Sequence, residues 1–147
     1  MKSKYLSIIA LVIWMSIIFY MSGQVATTSS GMSSFFVEPI KPYAPDFAED
    51  ILTTLVRKSA HIFMYFVLGM LVFNVLRQYT QNNKKLVGFS ILFAFVYAVS
   101  DELHQAFVPG RSAEPRDVLL DTIGASLGVA LCMLIIRRKA KKAVKNG

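Results

Sequence analysis

Apolar residues fall in four long blocks separated by polar stretches, unlike the short amphipathic runs of a water-soluble domain. The blocks cover 5–21 (YLSIIALVIWMSIIFYM), 60–76 (AHIFMYFVLGMLVFNVL), 86–105 and 118–136. Each is close to the roughly 20 residues that a helix needs to cross about 30 Å of hydrocarbon. A backbone in lipid must satisfy its own hydrogen bonds, so each block is predicted as a helix. The pattern therefore gives an all-α fold, an integral membrane four-helix bundle, with 1–147 as one membrane domain. The alternative for 5–21 is a signal peptide, because Lys2 and Lys4 precede it. It is long for the apolar core of such a peptide and no A-x-A-like site follows, so a retained anchor is the reading taken.

The segment between the first two blocks changes character along its length. Residues 22–34 (SGQVATTSSGMSS) are rich in Ser and Thr and read as a flexible exit from the first helix. Pro39, Pro42 and Pro45 then keep the chain extended. Asp46, with Glu49 three residues on, resembles a capping box opening DFAEDILTTLVRKSAH. Phe47, Ile51 and Leu55 fall on one stripe of that helix. Such a short amphipathic helix either lies on the membrane surface or extends the second span upward, and the pattern fits both.

Charge orients the bundle. Lys2, Lys4, Arg77, Lys84, Lys85, Arg137, Arg138, Lys139, Lys141, Lys142 and Lys145 all fall on one side of four spans, with no acidic residue among them. The other side holds Lys41, Arg57, Lys58, Arg111 and Arg116 together with all nine acidic residues. Cytoplasmic segments carry the excess of Lys and Arg, so both termini are expected in the cytoplasm, with 137–147 as a basic tail facing anionic headgroups. Cys132, the single cysteine, excludes an intrachain disulfide and a cysteine-based zinc site. It lies in an apolar block and reads as a small packing hydrophobe.

Polar residues interrupt the blocks where charge is expensive. Lys58, His61 and Tyr65 share a face near the outer end of the second helix. Asp101 and Gln105 share a face of the third, with Glu102 and His104 beside it. Val108-Pro109-Gly110 is a stop signal that leaves Arg111 just outside. On the fourth helix Pro115 suits the first turn, Asp117 meets the positive end of the helix dipole, and Asp121 lies one turn deeper. Three helix ends thus carry polar groups at one depth, and a pocket at the outer leaflet is expected from Lys58, His61, Tyr65, Asp101, Glu102, Gln105, Arg111, Asp117 and Asp121. Taken singly, Asp117 reads as a helix-terminus anion, His104 and Glu102 as solvated helix-end groups, His61 as a packing residue and Lys58 as a headgroup anchor. Asp101 and Asp121 are set back from their helix ends, and need buried partners, with Arg111 and His61 as the candidates.

An Arg with a nearby Lys suits phosphate, while carboxylates beside His suit acid–base chemistry or a divalent cation. DELHQ has no recognised metal-ligand spacing, no Ser is framed as a nucleophile, and no phosphate-cradling Gly-rich loop is present. No metal, no cofactor and no nucleic acid are expected from the pattern. Gly124 and Gly128 form a GxxxG, which lets another backbone approach closely and suggests a homo-oligomer or a membrane-protein partner.

Three stretches carry a family resemblance: Ser22-Gly23-Gln24 leaving the first helix, RKSAHIFMYFVLG over 57–69, and SDELHQAFVPGRSAEPRDVLLDTIGASLG over 100–128. The chain resembles the VanZ-like family of small bacterial membrane proteins. Lys58, His61, Tyr65, Asp101, Glu102, Gln105, Pro109, Arg111, Asp117 and Gly124 match the family's motifs. Asp121 departs from it, since Asn is expected there in many relatives, and adds a negative charge that a proton or cation would compensate. The resemblance implies a bacterial cytoplasmic membrane protein of the cell envelope and, through the founding member, lowered susceptibility to teicoplanin. That antibiotic carries an acyl tail which anchors it near its lipid-linked cell-wall target. No reaction is implied. The first function expected is binding or handling of an outer-leaflet lipid or lipid-linked precursor, with Arg111 and Lys58 on phosphate and Asp101, Glu102 and His61 orienting them. The alternative is a membrane hydrolase or transferase acting on a lipid or glycolipid, with His61 as base and Asp101 or Glu102 as acid or metal ligand.

Overall fold

The computed structural model describes residues 2–23, 46–109 and 114–145, with the side chains of 2, 3, 46–50, 53 and 145 left aside. The described residues form four α-helices: α1 (Lys2–Ser22), α2 (Asp46–Leu76), α3 (Asn83–Gln105) and α4 (Pro115–Lys145). All four are long and apolar enough to span a membrane, over Lys4–Ser22, Thr54–Leu76, Asn83–Gln105 and Pro115–Val144. The bundle alternates up and down, as short connections between α2, α3 and α4 require. Large apolar side chains such as Leu6, Val12, Phe63, Leu92, Val96, Leu127 and Leu134 stand exposed around it. A bundle in hydrocarbon presents such a surface to lipid tails.

The amphipathic stretch that opens at Asp46 is continuous with the second span, so the extension reading holds and no separate surface helix is formed by these residues. The hydrophobic face of its first turns and that of the span share one helical period, which leaves nothing to break the helix. At 31 residues, α2 and α4 are each about 46 Å long at 1.5 Å per residue, and so outreach the hydrocarbon. The basic residues after 136 continue α4 as helix as far as Lys145. At the other connection Asn82 caps α3, its side-chain oxygen accepting from the amides of Lys84 and Lys85.

The tightest packing is between α2 and α4. Gly124 lies so close to α2 that an added Cβ would stand 2.5 Å from the Ile62 carbonyl oxygen. An added Cβ at Gly128 would meet the Phe66 carbonyl, and one at Gly69 the Ala125 carbonyl, closer still. Close backbone approach is what small residues permit when apolar burial gives no driving force against lipid. The neighbour that uses the GxxxG within the chain is therefore α2. Tyr65, Leu68, Val72, Ala94, Ala98 and Ala125 form the buried centre, with Leu11 and Ile18 closing it from α1. Two long donors hold α1 in place: Trp14 Nε1 donates to the Met64 carbonyl at 2.9 Å and the Tyr97 hydroxyl to the Met15 carbonyl at 2.7 Å. Both satisfy a polar tip that would otherwise be stranded in an apolar layer.

Candidate functional site: a two-tier polar chamber at one end of the bundle

Polar side chains from all four helices meet at the end defined by Ser22, Gln105 and Pro115. They form two tiers. In the inner tier Asp101 is 2% exposed and accepts from both sides, from the Ser22 hydroxyl at 2.5 Å and from Gln105 Nε2 at 3.2 Å. Asp121, also 2% exposed, has its Oδ2 3.8 Å from His61 Nδ1. That gap is too long for a direct hydrogen bond. Its Oδ1 is buried without a partner among the described residues, as is the hydroxyl of fully buried Tyr65. Tyr65 lies within electrostatic reach of both aspartates. His61, Asp101 and Asp121 each present a ligand atom, all within 4.8 Å of one another.

The rim tier ties the start of α4 to α2 and α3. The Lys58 ammonium donates to Asp117 and, at 3.2 Å, to Glu114. The Glu114 amide in turn donates to Glu102 Oε1. This locks the entry to α4 by one cation and one backbone contact. Lys58 and Asp117 keep 27% and 30% of their side-chain surface and His61 keeps 26%, so the rim and the imidazole are open to solvent while Asp101, Asp121 and Tyr65 are not. His104 turns the other way and stacks on Phe19 of α1, ring centroids 4.0 Å apart.

Eight of the nine expected pocket residues, Lys58, His61, Tyr65, Asp101, Glu102, Gln105, Asp117 and Asp121, fall in these tiers; Arg111 lies outside the described residues. The partners differ from the expectation in two respects. Lys58 is oriented by Asp117 and Glu114, not by Asp101, Glu102 or His61, because the first turn of α4 reaches it first. Among the described residues Asp101 accepts from Ser22 and Gln105, while the expected imidazole, His61, approaches Asp121. Ser22 and Glu114 were missed by sequence reasoning. The available signal for Ser22 was a hydroxyl at the end of an otherwise apolar span, at the same depth as Asp101. For Glu114 it was an acid directly before the Pro115 helix start.

An apolar groove of about 470 Å³ runs between α3 and α4 beside the chamber, walled by Phe95, Val99, Leu103, Val118 and Leu119. Glu102 and Pro115 also line it, so one wall is shared with the rim tier. Polar groups at one end of the groove and hydrocarbon along its length make an amphiphile-shaped cleft.

Four helices long and apolar enough to span a membrane, with acids, an imidazole and a lysine gathered at one end, define a multi-pass helical membrane protein with a polar site at one end of its bundle. Its family follows from comparison: the family model described as VanZ/LLP1 matches residues 7–137, and the chain belongs to that family. No curated protein and no solved structure gives a significant match.

Proposed function

We propose that this VanZ-like protein sits in the bacterial cell membrane with its polar chamber outward, and there binds the head of a lipid or lipid-linked cell-wall precursor. The observation that carries the reading is the shared wall: Glu102 belongs both to the rim tier and to the apolar groove. An acyl or prenyl chain in the groove would bring its headgroup to Glu102, Glu114, Asp117 and Lys58. Carboxylates there accept from sugar hydroxyls and amines, and the ammonium of Lys58 has three donors, of which two are used among the described residues. Arg111, just before α4 in sequence, supplies the bidentate group that phosphate favours.

Orientation rests on the charges. The end opposite the chamber carries the eleven uncompensated basic residues, the side that membranes retain in the cytoplasm. A chamber in the outer leaflet is where an acyl-anchored glycopeptide meets its lipid-linked target, so lowered teicoplanin susceptibility follows as the cellular effect. The test is susceptibility to teicoplanin and vancomycin in a sensitive Gram-positive host carrying wild type, Arg111→Ala or no insert, with membrane expression confirmed. Wild type alone should raise the teicoplanin threshold and leave vancomycin unchanged. Identical thresholds in all three strains would remove drug resistance from the function.

A second reading, a hydrolase or transferase on a lipid or glycolipid, is favoured by one specific observation. His61 lies beside buried Asp121, an arrangement in which a carboxylate orients an imidazole for proton transfer. It requires altered envelope lipids in cells expressing wild type but not His61→Ala; equal lipid profiles in the two strains would count against it.

A further inference from the structure

The inner tier has a feature that headgroup binding at the rim does not use. Two carboxylates, Asp101 and Asp121, are each 2% exposed at one end of an apolar bundle. Taking such charges out of water is costly unless an opposite charge accompanies them. Lys58 does not supply it, since its ammonium is engaged by Asp117 and Glu114. The imidazole of His61 stands 3.8 Å from Asp121, within ion-pair range but too far for a direct hydrogen bond, and one imidazole cannot offset two carboxylates.

The geometry points to a divalent transition-metal site, with Zn2+ the best-fitting ion, held by His61, Asp101 and Asp121. Donor atoms around a cation with bonds of about 2.1 Å stand roughly 3.0–3.5 Å apart, so the 3.8 Å between His61 and Asp121 closes with a small side-chain shift. All three residues offer ligand atoms within 4.8 Å of one another. One nitrogen and two carboxylate oxygens are a donor set suited to Zn2+, and the two negative charges cancel the ion's own.

Two further observations bear on the cluster, one from a residue outside it. The hydroxyl of Tyr65, which is fully buried, has no hydrogen-bond partner among the described residues and stands near both aspartates. Asp121 Oδ1 is likewise buried and unpartnered. A metal would give both a role, Oδ1 as a second carboxylate donor and the Tyr65 hydroxyl as a neighbour to a water in the open fourth position. The donors on Asp101 already resemble the outer contacts of a metal carboxylate. Ser22 and Gln105 each hold one of its oxygens and so fix its direction. No motif spacing announces the site, because its ligands come from three different helices.

The site stands apart from the headgroup reading and is tested apart from it. Tag-free protein in detergent is stripped with a chelator, dialysed against Zn2+ and its bound metal counted by mass spectrometry; Mn2+, followed by electron paramagnetic resonance, serves as a second probe. Wild type should take up about one Zn2+ per chain, with Mn2+ binding more weakly at the same site. Asp121→Asn and His61→Gln should each weaken binding roughly tenfold or more, and Gln105→Ala, which only orients Asp101, by a smaller factor. Asp117→Asn, confined to the rim, should bind as wild type does. Should the inner-tier variants fail to fold, the wild-type stoichiometry and the Asp117→Asn control still decide. Metal-free wild type at saturating Zn2+, or full binding by folded Asp121→Asn, would overturn the site.

Discussion

The hydroxyl of Ser22, the last residue of α1, donates to Asp101 on α3 at 2.5 Å. It joins the end of α1 to the buried acids, beside the stacking of Phe19 on His104. Ser22→Ala should lower stability by about 1 kcal/mol, the scale of one buried hydrogen bond in a membrane protein. Thermal unfolding in detergent checks this. A double-mutant cycle with Asp101→Asn should return a coupling energy of similar size, whereas additive effects would mean that the two side chains act separately.

The glycines of α2 and α4 separate packing from composition. Gly124→Leu must push α4 away from the Ile62 backbone, and should cost about 3 kcal/mol or more in the same unfolding measurement. Gly88 on α3 meets nothing within 4 Å, so Gly88→Ala should be neutral or stabilising by about 0.5–1 kcal/mol. Equal losses at both positions would show that close approach to α2 does not set the effect.

At the rim, energetics and binding should part company. Lys58 and Asp117 are each more than a quarter exposed, and exposed ion pairs are screened. Lys58→Ala is therefore expected to change stability by less than about 1 kcal/mol while weakening retention of an anionic lipid. A large loss of stability with lipid retention unchanged would make Lys58 a structural lysine.

The charge-based orientation has its own test. A cysteine placed at Phe107, 85% exposed beside the chamber end, should react with an impermeant thiol reagent in intact cells. One placed at Lys139, in the exposed basic turns of α4, should react only after the membrane is opened. The reverse pattern would put the chamber in the cytoplasm and remove the outer-leaflet ligand.

The four spans were legible because hydrophobic length marks a membrane helix, and each apolar block lies within one helix, although α2 begins 14 residues before its block and α4 ends 9 residues after its own. The chamber was legible as a set because charge at depth stands out against such blocks. Its pairings were not, since pairing depends on the rotation of each helix about its axis, which a single-chain pattern does not give. Lys58 was expected to work with Asp101 and Glu102 but is held by Asp117 and Glu114. The same limit applies to Gly124 and Gly128: GxxxG signals close approach without naming the neighbour, which here is α2. The inner triad was hidden for a related reason, as His61, Asp101 and Asp121 are scattered over 61 positions of the chain and meet only through the fold.

The most direct measurement of the headgroup chamber is native mass spectrometry of the purified protein, reading bound lipid in wild type, Arg111→Ala and Leu119→Trp. Leu119 lines the groove, and an indole there fills the space an acyl chain would take. Wild type is expected to carry an anionic lipid that Arg111→Ala releases from the headgroup side and Leu119→Trp from the groove side. Undiminished lipid in both variants would contradict a ligand seated across groove and chamber.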